Sequence, residues 1–177
     1  MKSLMAPWRM EHVEGRANKV LGCLFEPEGN SPFNKELLLL YRDKKVVVRL
    51  NRFPYTNGHL LVAPIRHIAC ITELNKHEQT ALMGMISDAT QIIRELLHPD
   101  GLNVGCNLGS AAGAGIADHL HFHIVPRWDG DHNFMAVLAE VRSIPEHLLT
   151  TFNKLLPCFQ ELLNTNTKQP PTTSRWV

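Results

Sequence analysis

Short apolar runs separated by polar turns predict strands in the first third of the chain. "ELLLLYR" and "KVVVRLN" lie on either side of Asp43 and Lys44, so the sequence predicts a hairpin that turns there. A further run, "GHLLVAP", is predicted to be a strand that stops at Pro64, because proline has no N–H to donate to a sheet. Residues 26–35, "EPEGNSPFNK", are mostly turn formers and predict a loop.

Helical periodicity begins after residue 74. Asn75, followed three residues later by Glu78, resembles a capping box. The apolar positions that then recur at spacings of three and four predict one buried helix face, formed by Leu82, Met85, Ala89, Ile92 and Leu96. The segment "HPDG" at 98–101 ends this helix. A second helix is predicted over about residues 145–164, with Pro157 kinking or dividing it.

Two more strands are predicted between the helices, one at "LNVGCNLG" and one at "HLHFHIV". The predicted order of elements is hairpins, a long helix, two strands and a last helix. This order is typical of an α+β domain, in which helices pack on one face of an antiparallel sheet. We expect one domain over residues 1–165, including an N-terminal extension at 1–18. The polar, Pro/Thr-rich residues 166–177 predict a disordered tail.

Composition narrows the classes of partner. Lys plus Arg number 18 and Asp plus Glu number 17, so no basic field is present to hold nucleic acid. The four cysteines are far apart and form no C-x-x-C pair, which predicts reduced thiols and a cytoplasmic location. No run approaches 18 uninterrupted apolar residues, so we expect neither a membrane span nor export.

The candidate chemistry lies in "HLHFHIVPRW", where His119, His121 and His123 occupy alternate positions. On a strand these side chains point to one side, and the apolar residues between them point to the core. Three interpretations fit the pattern. It could be an exposed polar face, a set of metal ligands, or a nucleophile with its supports.

Distance weighs against a metal bound by all three histidines. Neighbouring side chains on one strand face lie about 6.6 Å apart and the outer pair about 13 Å apart. A tetrahedral ion needs each nitrogen at about 2.0 to 2.1 Å, so two neighbours could chelate it but three could not without strong curvature. The nucleophile interpretation needs a phosphate cradle. The Gly-rich segment "GCNLGSAAGAGIAD" directly upstream, with Asn107, could supply main-chain N–H groups to an anion.

These residues resemble the histidine triad (HIT) superfamily of nucleotide hydrolases and transferases, whose motif "HLHFHIV" matches. "APWRM", "LNRFPYTNGHLLVAP", "GAGIADHLHFHIVPRW" and "GDHNFM" extend the resemblance to the branch of bacterial HIT proteins, fragile histidine triad hydrolases and diadenosine tetraphosphate phosphorylases. The resemblance implies a five-stranded antiparallel sheet that continues across a homodimer. It also implies a nucleotide or dinucleotide substrate and a covalent nucleotidyl-histidine intermediate.

Carried over by motif, the resemblance implies that His121 is the nucleophile, and that His119 and His123 organise the phosphate and the protonation of the leaving group. Asn51 resembles a ribose contact, and His59 resembles the histidine that completes the polar network. The segment that resembles the family's phosphate-contacting loop contains Asn107, Gly113, Ala114 and Gly115. Trp128 resembles an aromatic residue that lies near the substrate in the phosphorylase-like branch.

Two departures from the family pattern matter. Glu26 stands where many relatives have the second cysteine of a zinc site, so we expect no zinc and no other cofactor. Ala114 and Gly115 stand where relatives carry a Gln or Ser that contacts phosphate, which leaves open whether water or phosphate is the acceptor. His123 disfavours the uridylyl transferases, whose triad ends in Gln. A binding module with little turnover and a metal-dependent hydrolase remain alternatives.

Overall fold

The computed structural model describes residues 22–26, 29–131 and 146–168. Within them, two one-turn 3₁₀ helices lie at Ile71–Glu73 and Ser110–Ala112. The strands and α-helices, in chain order, are β1 Leu39–Arg42, β2 Val46–Leu50, β3 Leu60–Pro64, α1 Lys76–Leu97, β4 Gly101–Cys106, β5 Phe122–Arg127 and α2 Leu148–Lys168.

The strands form one antiparallel sheet in the order β1-β2-β3-β5-β4. The hairpin that joins β1 to β2 turns at Asp43 and Lys44, and β3 ends at Pro64, as the sequence predicts. The five-stranded antiparallel sheet with two helices confirms the predicted α+β class. Because β5 lies between β3 and β4, its residues are flanked on both sides, and His123 stands between Leu61 and Gly105.

Side-chain alternation gives the sheet two different faces. On β2, Val46, Val48 and Leu50 join a large core that also contains residues from α1 and α2. Val47 points to the other face, where a smaller cluster contains Phe25, Leu39, Leu61 and Ala63. The two helices therefore cover one face, and the histidine segment shares the other face with the smaller cluster. No helix among the described residues is long and apolar enough to cross a bilayer.

The start of α1 was predicted correctly, but its buried face was predicted only in part. The Asn75 and Glu78 capping box is present, and His98 ends the helix in a left-handed conformation with φ 46°. Ile86 and Ile93 are buried instead of Ile92, which is half-buried, and Leu96, which is 38% exposed. The buried stripe follows a spacing of 3, 4 and 7, and at about 100° per residue Ile92 lies just outside its edge. Leu96 lies within the stripe, but it belongs to the last turn of the helix.

Helix α2 is longer than the sequence indicates. It continues through Pro157 without being divided there. It also includes residues 166–168, which the sequence predicts to be part of the tail. The rest of the predicted tail, the N-terminal extension 1–18 and most of "GDHNFM" lie outside the described residues.

Candidate functional site

The three histidines lie where the chain enters β5, on the sheet face that the helices leave uncovered. Only His123 belongs to the strand, which begins at Phe122. His119 and His121 are 1% and 4% exposed, so they do not form an exposed polar face. Leu120 and Ile124 point into the main core, as predicted. The cause of the burial is the segment around Phe25, whose ring lies 5.0 Å from that of His119 and 5.1 Å from that of His121.

The ring of His121 is held by the main chain of His119. Its Nδ1 lies 2.8 Å from the carbonyl oxygen of His119. A carbonyl only accepts hydrogen bonds, so Nδ1 carries the proton and the neutral ring keeps its lone pair on Nε2. Burial lowers the pKa of His121 below its usual value of 6.5, which favours this neutral form near pH 7. The arrangement gives His121 one nucleophilic nitrogen with a fixed orientation.

A chain of hydrogen bonds determines where His123 carries its proton. The main-chain N–H of Tyr55 donates to Nδ1 of His59 at 3.1 Å, so this nitrogen is an acceptor. Nε2 of His59 therefore carries a hydrogen and donates to Nδ1 of His123 at 2.9 Å. In neutral His123 the proton must then reside on Nε2. His121 and His123 thus present opposite functions, a lone pair and an N–H, with their rings 5.0 Å apart.

Asn51 reinforces this chain. Its Oδ1 accepts from the N–H of Phe53 at 3.0 Å, which fixes the amide so that Nδ2 faces Nδ1 of His59 at 3.2 Å. The structure therefore places Asn51 and His59 together with His123, as the predicted polar network requires. The ribose contact of Asn51 stays a prediction.

The ring of His119 is hydrogen-bonded on the side away from His121. Its Nε2 lies 2.9 Å from the carbonyl oxygen of Pro64, and its Nδ1 lies 3.0 Å from Sγ of Cys23. Both ring nitrogens are thus occupied away from His121, and burial lowers the pKa of the ring. His119 contacts the ring of His121 through its carbonyl oxygen, and its predicted role in organising the phosphate stays a prediction.

A second cluster surrounds the ring of His119. Ligand-type atoms of Cys23, His67 and His119 all lie within 4.8 Å of one another. The carboxylate of Glu26 borders the cluster, with Oε1 3.3 Å from Nδ1 of His67. These side chains come from the segment before β1, the turn after β3 and the entry to β5. Glu26 stands out in the sequence by its place in the family pattern, whereas no local pattern connects Cys23 or His67 with the triad.

The predicted phosphate loop connects β4 to the histidine segment. Nδ2 of Asn107 donates to the carbonyl oxygen of Gly113 at 3.3 Å, so these two predicted residues lie together. Gly113 has φ 89°, a conformation that favours glycine, and it caps the short helix Ser110–Ala112. Ala114 is half-buried and Gly115 is exposed. The register that pairs Gly105 with His123 places the beginning of the loop beside the triad.

Trp128 is not brought to the histidines within this chain. It follows the opposite end of β5, about 17 Å from His123 at a rise of about 3.3 Å per residue. There it lines an open cleft of about 360 Å³ with Arg127, Asn103 and Asp100, among others. Its predicted position near the substrate therefore finds no support in the arrangement of a single chain.

Phe25 and Tyr55 are site residues that sequence reasoning missed. Phe25 is fully buried and covers His121, with its ring stacked at an interplanar angle of 29°. Tyr55 contributes its main-chain N–H and stacks its ring near His123 at 5.9 Å. Neither has a sequence signal, because a main-chain donor is independent of residue type and Phe25 is 96 positions from His121.

Comparison with known proteins identifies a family and several similar proteins. A family model described as the HIT domain matches residues 33–130, more than half of the 177 residues. AP-4-A phosphorylase of Mycobacterium tuberculosis is 41% identical over 118 residues, which cover 67% of this chain and 60% of that protein. The chain thus spans about three fifths of the length of this relative.

Two further similarities add to these matches. The asymmetrical bis(5'-nucleosyl)-tetraphosphatase of Schizosaccharomyces pombe is 31% identical over 93 residues, 52% of this chain and 50% of that protein. The crystal structure of a zinc-bound histidine triad family protein from Mycobacterium smegmatis aligns with a TM-score of 0.57 and 27% identity. It covers 72% of this chain and 87% of that one.

Proposed function

This chain belongs to the HIT domain family, and we propose that it is a nucleotidyl hydrolase or transferase that acts on dinucleoside polyphosphates through a covalent intermediate on His121. The observation that carries the proposal is the hydrogen bond between Nδ1 of His121 and the carbonyl oxygen of His119. It leaves Nε2 as the one nitrogen able to attack phosphorus. Two relatives named as enzymes of dinucleoside tetraphosphates support the substrate class.

The first step forms a bond between Nε2 of His121 and the α-phosphorus, and breaks the bond from that phosphorus to the bridging oxygen. The electron pair of the broken bond leaves with the departing nucleotide, whose terminal phosphate is stable as an anion because its second pKa is about 6. The Nε2–H of His123 donates a hydrogen bond to the departing oxygen. The proton on Nδ1 of His121 stays between the ring and the His119 carbonyl, so the ring bound to phosphorus carries a positive charge.

The second step reverses the first with a different partner. An oxygen of water or of inorganic phosphate bonds to the phosphorus, the P–N bond breaks, and its electron pair returns to Nε2 of His121. Water yields a nucleoside monophosphate and releases a proton, whereas phosphate yields a nucleoside diphosphate. In both steps main-chain N–H groups of the loop around Gly113 would stabilise the equatorial oxygens, an effect typically of about 3 to 4 kcal/mol per donor.

Product analysis distinguishes the two acceptors. The protein is incubated with a panel of dinucleoside polyphosphates, with and without inorganic phosphate, and the products are resolved by mass. A nucleoside diphosphate that appears only with phosphate establishes phosphorolysis, and a monophosphate in both mixtures establishes hydrolysis. Absence of turnover across the panel contradicts the proposed substrate class.

The variant His121→Ala tests the nucleophile. We expect turnover to fall by at least about 10⁴-fold, because covalent catalysis is lost, while nucleotide binding and the unfolding transition change little. His77→Ala, at an exposed position on α1, is the matched control and should keep full activity. A labelled nucleotide trapped on the wild type by acid quench, and absent from His121→Ala, would identify the intermediate. Full activity in His121→Ala would contradict the mechanism.

A further inference from the structure

We propose that Arg49 is a positioning residue for the nucleophile, because its buried guanidinium holds the turn that keeps the ring of Phe25 against His121. Arg49 lies on β2, and β3 separates this strand from β5. It acts on the reaction only through Phe25 and not by contact with the substrate. Its effect on catalysis rests on the proposed function, whereas its hold on Phe25 does not.

Arg49 points to the sheet face that carries the histidines. On β2 the side chains of Val48 and Leu50 enter the main core, so alternation turns Arg49 to the opposite face. In the sheet register Arg49 is paired with Leu61, and Leu61 is paired with His123. The main chain of Arg49 is therefore two strands from that of His123, which is about 10 Å.

The charge of Arg49 is buried without a carboxylate beside it. The side chain is 4% exposed, and its guanidinium contacts no carboxylate of the described residues. Burial, followed by the charge of Arg52, lowers the pKa of Arg49 from 12.5 to about 10, so the side chain is still a cation near pH 7. Burying an uncompensated cation costs free energy. The hydrogen bonds of Arg49, and not its volume, therefore distinguish it from an apolar residue of similar size.

Two main-chain carbonyl groups accept from the guanidinium. Nη1 donates to the oxygen of Leu24, and Nη2 donates to the oxygen of Leu37. The acceptors belong to separate segments before β1, and the fixed fork of a guanidinium can bridge them. Leu37 precedes Leu38, whose φ of 55° is rare for leucine. Arg49 thus ties the segment around Leu24 to the bend that leads into β1.

The carbonyl group of Leu24 lies at the centre of a local turn. The N–H of Glu26 donates to the oxygen of Cys23 at 3.1 Å and closes this turn. Leu24 and Phe25 are its two central residues. The peptide group that joins them takes no part in the turn's own hydrogen bond. Because a peptide group is planar, a donor that holds its oxygen also fixes the direction in which the chain enters Phe25.

Phe25 transmits this constraint to the nucleophile. Its ring is fully buried and lies 5.1 Å from the ring of His121, at an interplanar angle of 29°. The hydrogen bond from Nδ1 of His121 to the oxygen of His119 fixes one atom of the imidazole but not the plane of the ring. The stacked ring of Phe25 fixes that plane, and with it the direction of the lone pair on Nε2. Loss of the guanidinium should therefore let Nε2 turn away from the phosphorus.

Variants of Arg49 test the effect on turnover. Arg49→Met is of similar length but has no donor, and we expect kcat to fall about 10- to 100-fold with KM little changed, since a misplacement of about 1 Å can cost about 100-fold. Arg49→Lys keeps the charge but has no fork for both carbonyl groups, so its kcat should be intermediate. Arg94→Met, at an exposed position on α1, is the matched control and should keep the wild-type kcat. A wild-type kcat in folded Arg49→Met overturns the effect on catalysis.

Combination with Phe25→Leu tests whether Arg49 acts through Phe25. Leu removes the stacked ring and keeps an apolar side chain at this buried position. If Arg49 acts through that ring, Arg49→Met should lower kcat much less in the Phe25→Leu background than in the wild type. Equal fold-losses in both backgrounds would mean that Arg49 acts by another route, and the proposal would fall. If Arg49→Met does not fold, Arg49→Lys takes its place in this test and in the next.

Chemical modification of His121 tests the hold on Phe25 without turnover. Diethyl pyrocarbonate acylates a neutral imidazole, and tandem mass spectrometry gives the rate at His121 relative to that at His77, which is exposed. His121 is 4% exposed, so its rate should be low in the wild type, should rise several-fold in Arg49→Met, and should not change in Arg94→Met. An unchanged rate in Arg49→Met overturns the hold on Phe25. If the wild type turns over no dinucleotide, the proposed function fails, and this measurement still decides whether Arg49 holds Phe25.

Discussion

One main-chain N–H, that of Tyr55, determines how two histidines divide their protons. Because it donates to Nδ1 of His59, the remaining proton of His59 faces His123, and the proton of His123 is directed to Nε2. Asn51 donates to the same nitrogen of His59. His59 is fully buried and is in our proposal a positioning residue, because it acts on the reaction only through His123.

The variants His59→Leu and His59→Gln test this relay. Leu has a similar volume but no donor for Nδ1 of His123, so His123 is free to move its proton away from the substrate. We expect kcat to fall about 10- to 100-fold with KM little changed. The amide of Gln can replace the Nε2–H of His59 and should recover most of the loss. Steady-state kinetics of the two variants decide the matter, and equal losses would show that His59 only fills space.

Sequence alone could reach the identities of these residues but not their proton positions. Strict alternation singled out His119, His121 and His123, and motif resemblance added Asn51 and His59. The different roles of His119 and His121 depend on contacts from distant parts of the chain. Cys23 is 96 residues from His119 in sequence, and Pro64 is 55 residues away. No local pattern reports such contacts.

At the scale of elements, side-chain hydrogen bonds hold the first turn of α1 against the turn that follows β3. Glu78 accepts from the N–H of Asn75 at 2.9 Å and from two nitrogens of Arg66 at 2.8 Å each. Asn75 in turn caps the N–H of Glu78 at 3.0 Å. The capping box was readable in the sequence because its two members are three residues apart. The contribution of Arg66 was not, since it depends on how the turn packs.

The ion pair in this first turn should make the stability of the protein depend on pH. The hydrogen bond from Arg66, followed by that from Asn75, lowers the pKa of Glu78 from 4.5 to about 2. A pKa that is lower in the folded state adds stability above about pH 4.5, and that stability is lost as the pH falls towards 2. Glu78→Gln keeps the cap but removes the charge, so it should be less stable by up to about 1 kcal/mol at pH 7, because Arg66 is half exposed.

Urea unfolding of both proteins at several values of pH measures this contribution. The difference in free energy of unfolding between wild type and Glu78→Gln should shrink steadily between about pH 4.5 and pH 2. Added salt at pH 7 should reduce it as well. A difference that is constant over this range would mean that the carboxylate contributes nothing through its charge.

At the scale of the whole molecule, the two edges of the sheet are protected to different degrees. The edge strand β1 is four residues long, is interrupted by a bulge, and is covered at Leu39 by a bridge to Asn34. The other edge strand, β4, is six residues long and pairs only with β5 among the described strands. Its sequence, "GLNVGC", has no charged residue and no proline. Short strands, bulges, charges and prolines are the usual devices that keep an edge from pairing with another chain.

The unprotected edge of β4 favours a homodimer in which the β4 strands of two copies pair and the two sheets become continuous. Val104 lies near the middle of this strand and is 46% exposed, so in such a dimer it would lie at the contact. Val104→Lys should shift the protein to the monomer, because a lysine on an edge strand disfavours further pairing. Met83→Lys, at a 60% exposed position on α1, is the matched control and should leave the dimer intact. Sedimentation velocity at micromolar concentration compares the three proteins. A monomeric wild type would contradict the dimer, and a dimeric Val104→Lys would place the contact on another surface.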